Sequence, residues 1–416
     1  MHWWERVLAS LLWGLTSAIL PILWATAIAR QQDADFPSDA ISWLFALQPF
    51  FLLALTVGVV ATVAGKLWGE RKWRGGNWIL FVASLGVIAE WLTLFLPLPV
   101  HLAITQVPSE FVILSLAPTT GIWGISWLVW FAAAMLANFL LGHWHVDRAM
   151  GFGVGFLVLM FLFAPVPSTK GVMRVAVIQN SFDDPLEMAE GVRHADLIVL
   201  PEVALGMETP LIRKALKEVA AKTGAKIVAG LIEFNPPYNA AVMINPEGVE
   251  MLRHRKIHLF GAERWQFKRG REVEAAGDIG IAICFDTVFP DVVRQLAQQG
   301  AKVIAVPNHD PPVVGFLLHH LHAAFLPIRA AENLVAIVKA DSTGLSQVIH
   351  WTGQIVAEAP LGKSAILRAM IALPQTKGYF YTAFGDWVVV SCALMAIGTV
   401  AGQWRRAKVS TAAQKS

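Results

Sequence analysis

Three residues of different chemical type stand at the ends of apolar, strand-like runs in the middle of the chain. Glu202 closes LIVLPE, Lys256 lies in HRKIHL and Cys284 closes GIAIC. A carboxylate can accept a thiol proton, a thiolate can attack a carbonyl carbon, and an ammonium can stabilise the resulting oxyanion. The order Glu–Lys–Cys therefore predicts thiol-based acyl transfer. In it Glu202 is the base, Lys256 the oxyanion stabiliser and Cys284 the nucleophile.

Each of these residues also has an ordinary interpretation. Glu202 could be a solvated carboxylate at a strand end, Lys256 a loop lysine, and Cys284 a small core residue, as free cysteines often are. Glu263, seven residues after Lys256, either positions that lysine or an incoming amine, or is a surface carboxylate. The combination of residues, rather than any one of them, carries the prediction.

Other chemistries are less well supported. The chain has no G-x-S-x-G elbow, which argues against a serine hydrolase of the α/β-hydrolase type. His319, His320 and His322 could bind a metal, but Asp310 is the only further ligand at a suitable spacing. We interpret the histidines as part of a helix flanking the mouth of the site, and we expect no metal and no cofactor.

The composition points to a membrane. The chain has 416 residues, is 56% hydrophobic and 15% charged, and has a mean hydropathy of +0.54. Soluble domains carry about 25% charged residues. A net charge of +3 gives no reason to expect a nucleic-acid partner. The two cysteines are Cys284 and Cys392, and we expect no disulfide because Cys392 lies in an apolar run.

Six apolar stretches are long enough to be membrane spans, and the stretch 101–120 reads as an outer loop or re-entrant segment. Lysine and arginine are concentrated in the 64–76 loop and the C-terminal tail, which are therefore predicted to face the cytoplasm. Five spans then place residues 172–380 outside, and a sixth returns the tail. The predicted spans are 7–29, 41–63, 77–98, 121–142, 150–168 and 383–402.

The predicted outer domain alternates strand and helix patterns, which is typical of an α/β sheet covered by helices. The helical runs are 210–222, 290–299 and 317–332. The strand-like runs are 175–180, 195–202, 226–234, 239–248, 278–286, 302–308 and 334–341.

The predicted domain resembles the nitrilase, or carbon–nitrogen hydrolase, superfamily. LPE, RKIHLFGAE and ICFDTVFPD are similar to its three catalytic motifs, and YNAAVMINPEG and IRAAENLVAIVKADSTGLSQVI to two supporting stretches. The resemblance implies an αββα sandwich over 171–380. It also implies catalytic roles for Glu202, Lys256 and Cys284.

GIWGISWLVWFAAAMLANFLL and YFYTAFGDWVVVSCALMAI further resemble spans of the apolipoprotein N-acyltransferase branch. That resemblance implies about five spans in 1–170, a periplasmic catalytic domain, a span at 381–403 and a cytoplasmic tail at 404–416. The protein would lie in a bacterial inner membrane. Its partners would be a phospholipid acyl donor and a lipoprotein or other amine acceptor.

The chain departs from that branch at several points. LFGAE replaces PFGE after the lysine, Phe285 and Asp286 replace Tyr-Glu after the cysteine, and NHDPP at 308–312 replaces a loop that contains a tryptophan. Such changes also fit shorter membrane nitrilase-like proteins of conjugative plasmids. Three hypotheses therefore stay open: an acyltransferase, a membrane-tethered amidase, and a non-enzymatic envelope protein of a transfer or export assembly.

Overall fold

The computed structural model describes residues 56–413 with gaps, and two predicted spans lie largely outside that range. The span 7–29 falls entirely outside the described residues, as does most of 41–63. The positions left out are 61, 65–75, 97–98, 100, 107–109, 141–150, scattered positions in 152–167, 182, 313–314 and 376–377.

Long apolar helices precede and follow the domain. By length and composition, Asn77–Phe95 and Leu116–Leu140 could each cross a membrane, and Trp387–Gly402 is a shorter apolar stretch. They overlap three of the predicted spans, and Leu116–Leu140 begins before the predicted start at 121. The main helices are, in chain order, α1 (Gly76–Leu92), α2 (Glu110–Leu140), α3 (Pro185–Glu190), α4 (Pro210–Thr223), α5 (Glu263–Gln266), α6 (Asp291–Gln298), α7 (Gly315–Ala323), α8 (Phe325–Asn333), α9 (Phe380–Phe384) and α10 (Trp387–Ala413).

The stretch 101–120 is more helical than its sequence indicated. Leu102–Gln106 forms a 3₁₀ turn, and from Glu110 onward the chain is already part of α2. The helix is interrupted at Gly121, whose φ of 66° and ψ of −169° are not helical. A side chain there would meet the ring of Tyr381 at 2.3 Å. The predicted start of a span at 121 therefore coincides with the point where the helix resumes.

Two six-stranded sheets form the centre of the domain. The first has the order β12-β1-β2-β3-β4-β5 and the second β11-β10-β9-β8-β7-β6, and each has a parallel centre and antiparallel edges. The strands are β1 (Thr169–Gln179), β2 (Leu197–Val199), β3 (Lys226–Glu233), β4 (Tyr238–Ile244), β5 (Glu250–Arg255), β6 (Ala275–Ala276), β7 (Ile279–Ile281), β8 (Val303–Asn308), β9 (Ala336–Asp341), β10 (Gln347–Ile349), β11 (Ile355–Glu358) and β12 (Ala365–Pro374).

Alternation of side chains along the strands builds four layers. Val175 and Val177 of β1 share a buried cluster with Ile281 and Val338 of the second sheet. Ala176, between the two valines, instead joins a separate cluster on the outer face with α3 and α4. Because successive residues of a strand face opposite sides, both faces of the sheet are covered. The outer face of the second sheet packs on α6, α7 and α8. The expected αββα sandwich is confirmed.

Buried polar contacts join the apolar helices to the sandwich. A Glu332 carboxylate oxygen on α8 accepts a hydrogen bond at 2.5 Å from the amide of Ile122, where α2 resumes. Asp386 accepts hydrogen bonds from the indoles of Trp123 at 2.7 Å and Trp91 at 3.0 Å. Glu332 also pairs with Arg329, and both side chains are fully buried. The position of α1 and α2 is thus tied to the domain at two carboxylates.

Replacing Glu332 with alanine should destabilise the protein strongly. The Arg329 guanidinium would stay buried without its partner, and breaking such a pair from one side costs about 3–5 kcal/mol. Thermal unfolding of the full chain in detergent measures the loss. Glu218→Ala is the control, because Glu218 and Lys214 form an ion pair with both side chains mostly exposed, and such pairs contribute about 1 kcal/mol or less. Equal unfolding temperatures for the two variants would contradict the prediction.

Candidate active site

Cys284 lies where the chain leaves β7 and enters a 3₁₀ turn, Cys284–Thr287. Its φ of 46° is in the left-handed region, which non-glycine residues seldom adopt. The Thr287 hydroxyl donates to the Cys284 carbonyl at 2.8 Å and holds this turn. The predicted strand 278–286 is therefore shorter than expected. Its end is a strained turn, and the cysteine lines a cavity.

Glu202 follows β2 and is 5% exposed. Its backbone amide donates at 3.3 Å to the carbonyl of Asn308, the last residue of β8 in the second sheet. Gly230 of β3 passes so close that a Cβ there would lie 2.5 Å from the carbonyl oxygen of Pro201. Glycine at this position allows the two strand ends to pack without a gap, which fixes the backbone that carries Glu202.

Lys256 follows β5 and is 1% exposed. Its ammonium donates to Glu202 at 2.7 Å and to Glu263 at 2.9 Å. Glu263 begins α5, and its second oxygen accepts a hydrogen bond from the amide of Phe260 at 2.8 Å. The structure therefore brings Glu202, Lys256 and Glu263 into direct contact. It places Cys284 on the wall of the same cavity.

Asn239 is a fifth member of this group that the sequence did not single out. Its side-chain amide donates to Glu202 at 2.7 Å and to Glu263 at 2.9 Å. The backbone carbonyl of Asn239 accepts a hydrogen bond from the backbone amide of Lys256 at 2.8 Å. Asn239 thus orients both carboxylates and the lysine backbone. The one signal in the sequence was its place in the supporting stretch YNAAVMINPEG.

Asp286 ties the lysine loop to the cysteine turn. Its carboxylate is fully buried and accepts hydrogen bonds from the amides of Ile257 at 3.1 Å, His258 at 2.7 Å and Ile283 at 3.0 Å. It also lies 2.9 Å from Nε2 of His254. The residue stood out in the sequence as a departure from a related branch. In the structure it fixes the distance between the two loops.

The electrostatics of the group keep the Cys284 thiol protonated at rest and make Glu202 more basic than an ordinary carboxylate. Burial raises the pKa of the Cys284 thiol well above its ordinary value, and the Glu202 charge adds to this effect. Burial also raises the pKa of Glu202, although Lys256 opposes that shift. Burial disfavours the Lys256 ammonium, but Cys284, Glu202 and Glu263 outweigh it and raise the lysine pKa. A charged lysine therefore stands beside a protonated thiol and a carboxylate of increased basicity.

A largely apolar cavity of about 300 Å³ opens over these residues. Glu202, Lys256, Glu263 and Cys284 form part of its polar lining. Pro99, His101 and Ile104, which lie between α1 and α2, also line the cavity. The remaining apolar lining includes Phe260, Phe285, Val288, Leu318, Leu321 and Phe325.

The histidine cluster is divided by the structure. His322 points a ring nitrogen at Asp310, while His319 is buried and His320 is not part of the cavity lining. In the described part of the chain, Cys284, Asp310 and His322 bring potential metal-ligating atoms within 4.8 Å of one another. Asp310 was correctly linked to the cluster, but the group it forms includes the cysteine rather than three histidines.

The sequence profile of the carbon–nitrogen hydrolase family matches residues 171–380. The chain belongs to this family. That range contains the four predicted site residues, Asn239 and all twelve strands except the first two residues of β1.

Relatives of the carbon–nitrogen hydrolase domain differ in how far their similarity extends. An apolipoprotein N-acyltransferase of Haemophilus ducreyi is 25% identical over 93% of this chain and 91% of its own. An apolipoprotein N-acyltransferase of Geobacter metallireducens is 25% identical over 71% of this chain and 68% of its own length. A nitrilase of Pyrococcus abyssi is 37% identical over 35% and 55%. None of these relatives is described as a conjugal transfer protein, so that alternative gains no support from them.

Alkylation of Cys284 by iodoacetamide should slow as the pH falls. Glu202 can accept the thiol proton only when ionised, and its pKa is raised above the ordinary 4.5. The acid limb of the rate profile is therefore expected above pH 4.5, and Glu202→Gln should remove the limb and lower the rate. Mass spectrometry of the peptide that contains Cys284 measures the rate, with Cys284→Ala as background. Equal rates for wild type and Glu202→Gln at neutral pH would exclude Glu202 as the base.

Proposed function

We propose that this protein is a membrane-bound acyltransferase. It moves an acyl chain from a phospholipid, through a thioester on Cys284, to the N-terminal amine of a lipoprotein. The observation that carries the proposal is the position of the cavity. Its polar wall holds Glu202, Lys256 and Cys284, and its apolar wall is partly built by the segment between two long apolar helices.

The first half-reaction forms the thioester. Glu202 takes the proton of the Cys284 thiol as the sulfur attacks the ester carbonyl of the phospholipid. Lys256 stabilises the negative charge that develops on the carbonyl oxygen. The carbon–oxygen bond then breaks, the proton on Glu202 passes to the leaving alcohol, and lysophospholipid departs.

The second half-reaction transfers the acyl chain to an amine. The amine attacks the thioester carbonyl and Lys256 again stabilises the oxyanion. The carbon–sulfur bond breaks as the amide forms, and Glu202 carries a proton from the nitrogen to the leaving sulfur. Asn239 donates to Glu202 and Glu263, and Lys256 donates to the same two carboxylates. Glu263 and Asn239 therefore hold Lys256 and Glu202 in place during both steps. No cofactor is required for either step.

Two features support a lipid donor over a small soluble ester. The cavity walls are mostly apolar, which suits an acyl chain. The similarity to the two acyltransferases also extends beyond the domain into the helices, over 93% of the chain in one case. We place the catalytic domain at 171–380, the spans at 1–170 and 381–403 and the tail at 404–416. The charge of the short loops orients the domain to the periplasmic side of an inner membrane.

A membrane-tethered amidase is the second candidate. The relative that is 37% identical over 35% of this chain is named a nitrilase, and water rather than an amine would then resolve the thioester. Both functions pass through an acyl-enzyme on Cys284, but they differ in the bond cleaved to form it, an ester or an amide, and in the nucleophile that discharges it. The acyl donor and the second nucleophile therefore separate them.

Purified protein in mixed micelles should transfer a labelled acyl chain from phospholipid to a diacylglyceryl-cysteine peptide. The amide product is expected to exceed free fatty acid by at least about tenfold, because the site is proposed to favour an amine over water. Cys284→Ala should give neither product, and Cys392→Ala should behave as wild type. Mass spectrometry of both products measures the ratio. Free fatty acid as the main product, or turnover of small amides without lipid, would favour the amidase instead.

A further inference from the structure

A histidine–carboxylate pair lies close to Cys284, in addition to the glutamate–lysine group. His322 of α7 lies with Nδ1 at 2.9 Å and 3.1 Å from the two carboxylate oxygens of Asp310. The group formed by Cys284, Asp310 and His322 has its ligand-type atoms within 4.8 Å of one another. Both Asp310 and His322 line the cavity that contains Cys284. Neither residue has a part in the mechanism described above.

The hydrogen bond to Asp310 leaves the second ring nitrogen of His322 free to act as a base. Burial disfavours the charge on Asp310, but the Lys339 ammonium and the hydrogen bond from His322 help to hold its pKa well below its ordinary value. An ionised carboxylate only accepts hydrogen bonds, so Nδ1 of a neutral His322 carries the ring proton. Nε2 then has a lone pair, and it is buried without a hydrogen-bond partner among the described residues.

A bound metal ion does not suit this place. The Lys339 ammonium lies 3.4 Å from an oxygen of Asp310, and the Lys256 ammonium is close enough to Cys284 for their charges to affect each other's pKa. A divalent cation bound here would lie close to two ammonium groups and be repelled by both. A neutral imidazole that accepts a proton is better matched to these surroundings.

Transfer to an amine needs a proton acceptor that Glu202 cannot also be. An α-amine has a pKa of about 7.7–8.0, so near pH 7 most of it is ammonium. Its nitrogen carries three protons as ammonium and one in the amide product. One of the two lost protons returns, through Glu202, to the Cys284 sulfur. The other needs a second base at the same cavity.

We propose that His322 is that second base: Nε2 takes a proton from the acceptor ammonium when the Cys284 thioester is discharged, with Asp310 as its positioning residue. This inference rests on the proposed acyltransferase function. Once the ammonium has passed one proton to His322, the free amine attacks the thioester carbonyl. The nitrogen–carbon bond forms, the carbon–sulfur bond breaks, and the second proton goes through Glu202 to the sulfur. His322 then releases its proton to water.

The proposal makes His322 necessary only for acceptors that arrive protonated. Acylation of Cys284 involves no amine and should not depend on this histidine. Hydroxylamine is uncharged near pH 7, and it should discharge the thioester without help from His322. A residue with a merely structural role would affect all three reactions alike.

The experiment follows the acyl-enzyme of the full-length protein in detergent, with His322→Gln compared with wild type and with His320→Gln as the matched control. Thioester formation from phospholipid is measured first, by intact mass. Its discharge is then timed with a diacylglyceryl-cysteine peptide and with hydroxylamine from pH 6 to pH 9. The ionisable groups around this pair are Lys339 and His319, which act electrostatically on Asp310, and Cys284, His101, His309, Glu202, Lys256 and Glu263, which line the same cavity.

We expect His322→Gln to form the thioester at the wild-type rate and to discharge it to the peptide at least about tenfold more slowly near pH 7, since general bases contribute about 10²-fold or more. The defect should shrink as the pH rises through the pKa of the amine, and it should be absent with hydroxylamine. His320→Gln should match wild type throughout.

Other results would overturn the inference. Equal discharge to the peptide by wild type and His322→Gln at every pH would exclude a second base. Equal slowing of acylation, peptide transfer and hydroxylamine discharge would assign His322 a structural role only. If wild-type protein forms no thioester at all, the acyltransferase function fails first, and this inference fails with it.

Discussion

The arrangement of the site depends on one buried cation, the ammonium of Lys256. The Lys256 ammonium is 1% exposed and lies between the carboxylates of Glu202 and Glu263. Removing an ammonium from water costs several kcal/mol unless well-placed partners compensate. The strand ends that carry these residues must therefore meet within hydrogen-bond distance. Asn239 joins the two carboxylates, and Asp286 ties the lysine loop to the cysteine turn. The geometry suited to thiol chemistry is thus also the geometry that a buried lysine demands.

The same constraint governs the junction between the domain and the apolar helices. Glu332 and Asp386 are placed where backbone or indole N–H groups of α1 and α2 need acceptors. Buried polar groups without partners are costly, so these contacts define one arrangement of helices against the sandwich. The wall of the cavity at 99–104 lies between these two helices. The shape of the cavity therefore depends on contacts made by residues that do not line it.

The sequence predicted what local patterns can encode. Buried central strands such as β3 and β8 appeared as apolar runs, and Glu202, Lys256 and Cys284 stood at the ends of such runs. The edge strands β5 and β12 were both missed. β5 has polar or charged side chains at most positions and no apolar run, whereas β12 is mostly apolar and could have been predicted from its sequence. The 317–332 helix was predicted as one, whereas the chain forms α7 and α8. Asn239 and Asp286 act through contacts between residues far apart in sequence, for which spacing gives no signal. Spacing did connect Asp310 with the histidine cluster, but not with Cys284.

Whether Cys284 carries an acyl chain is the central question, and intact mass answers it most directly. Wild-type protein and Cys284→Ala are incubated with phospholipid in the absence of any amine and then weighed. We predict that wild type gains the mass of one fatty-acyl chain, removable by hydroxylamine, and that Cys284→Ala gains none. An unmodified wild-type protein whose Cys284 still reacts with iodoacetamide would contradict a phospholipid-derived thioester. The same increment on Cys284→Ala would place the acyl chain elsewhere.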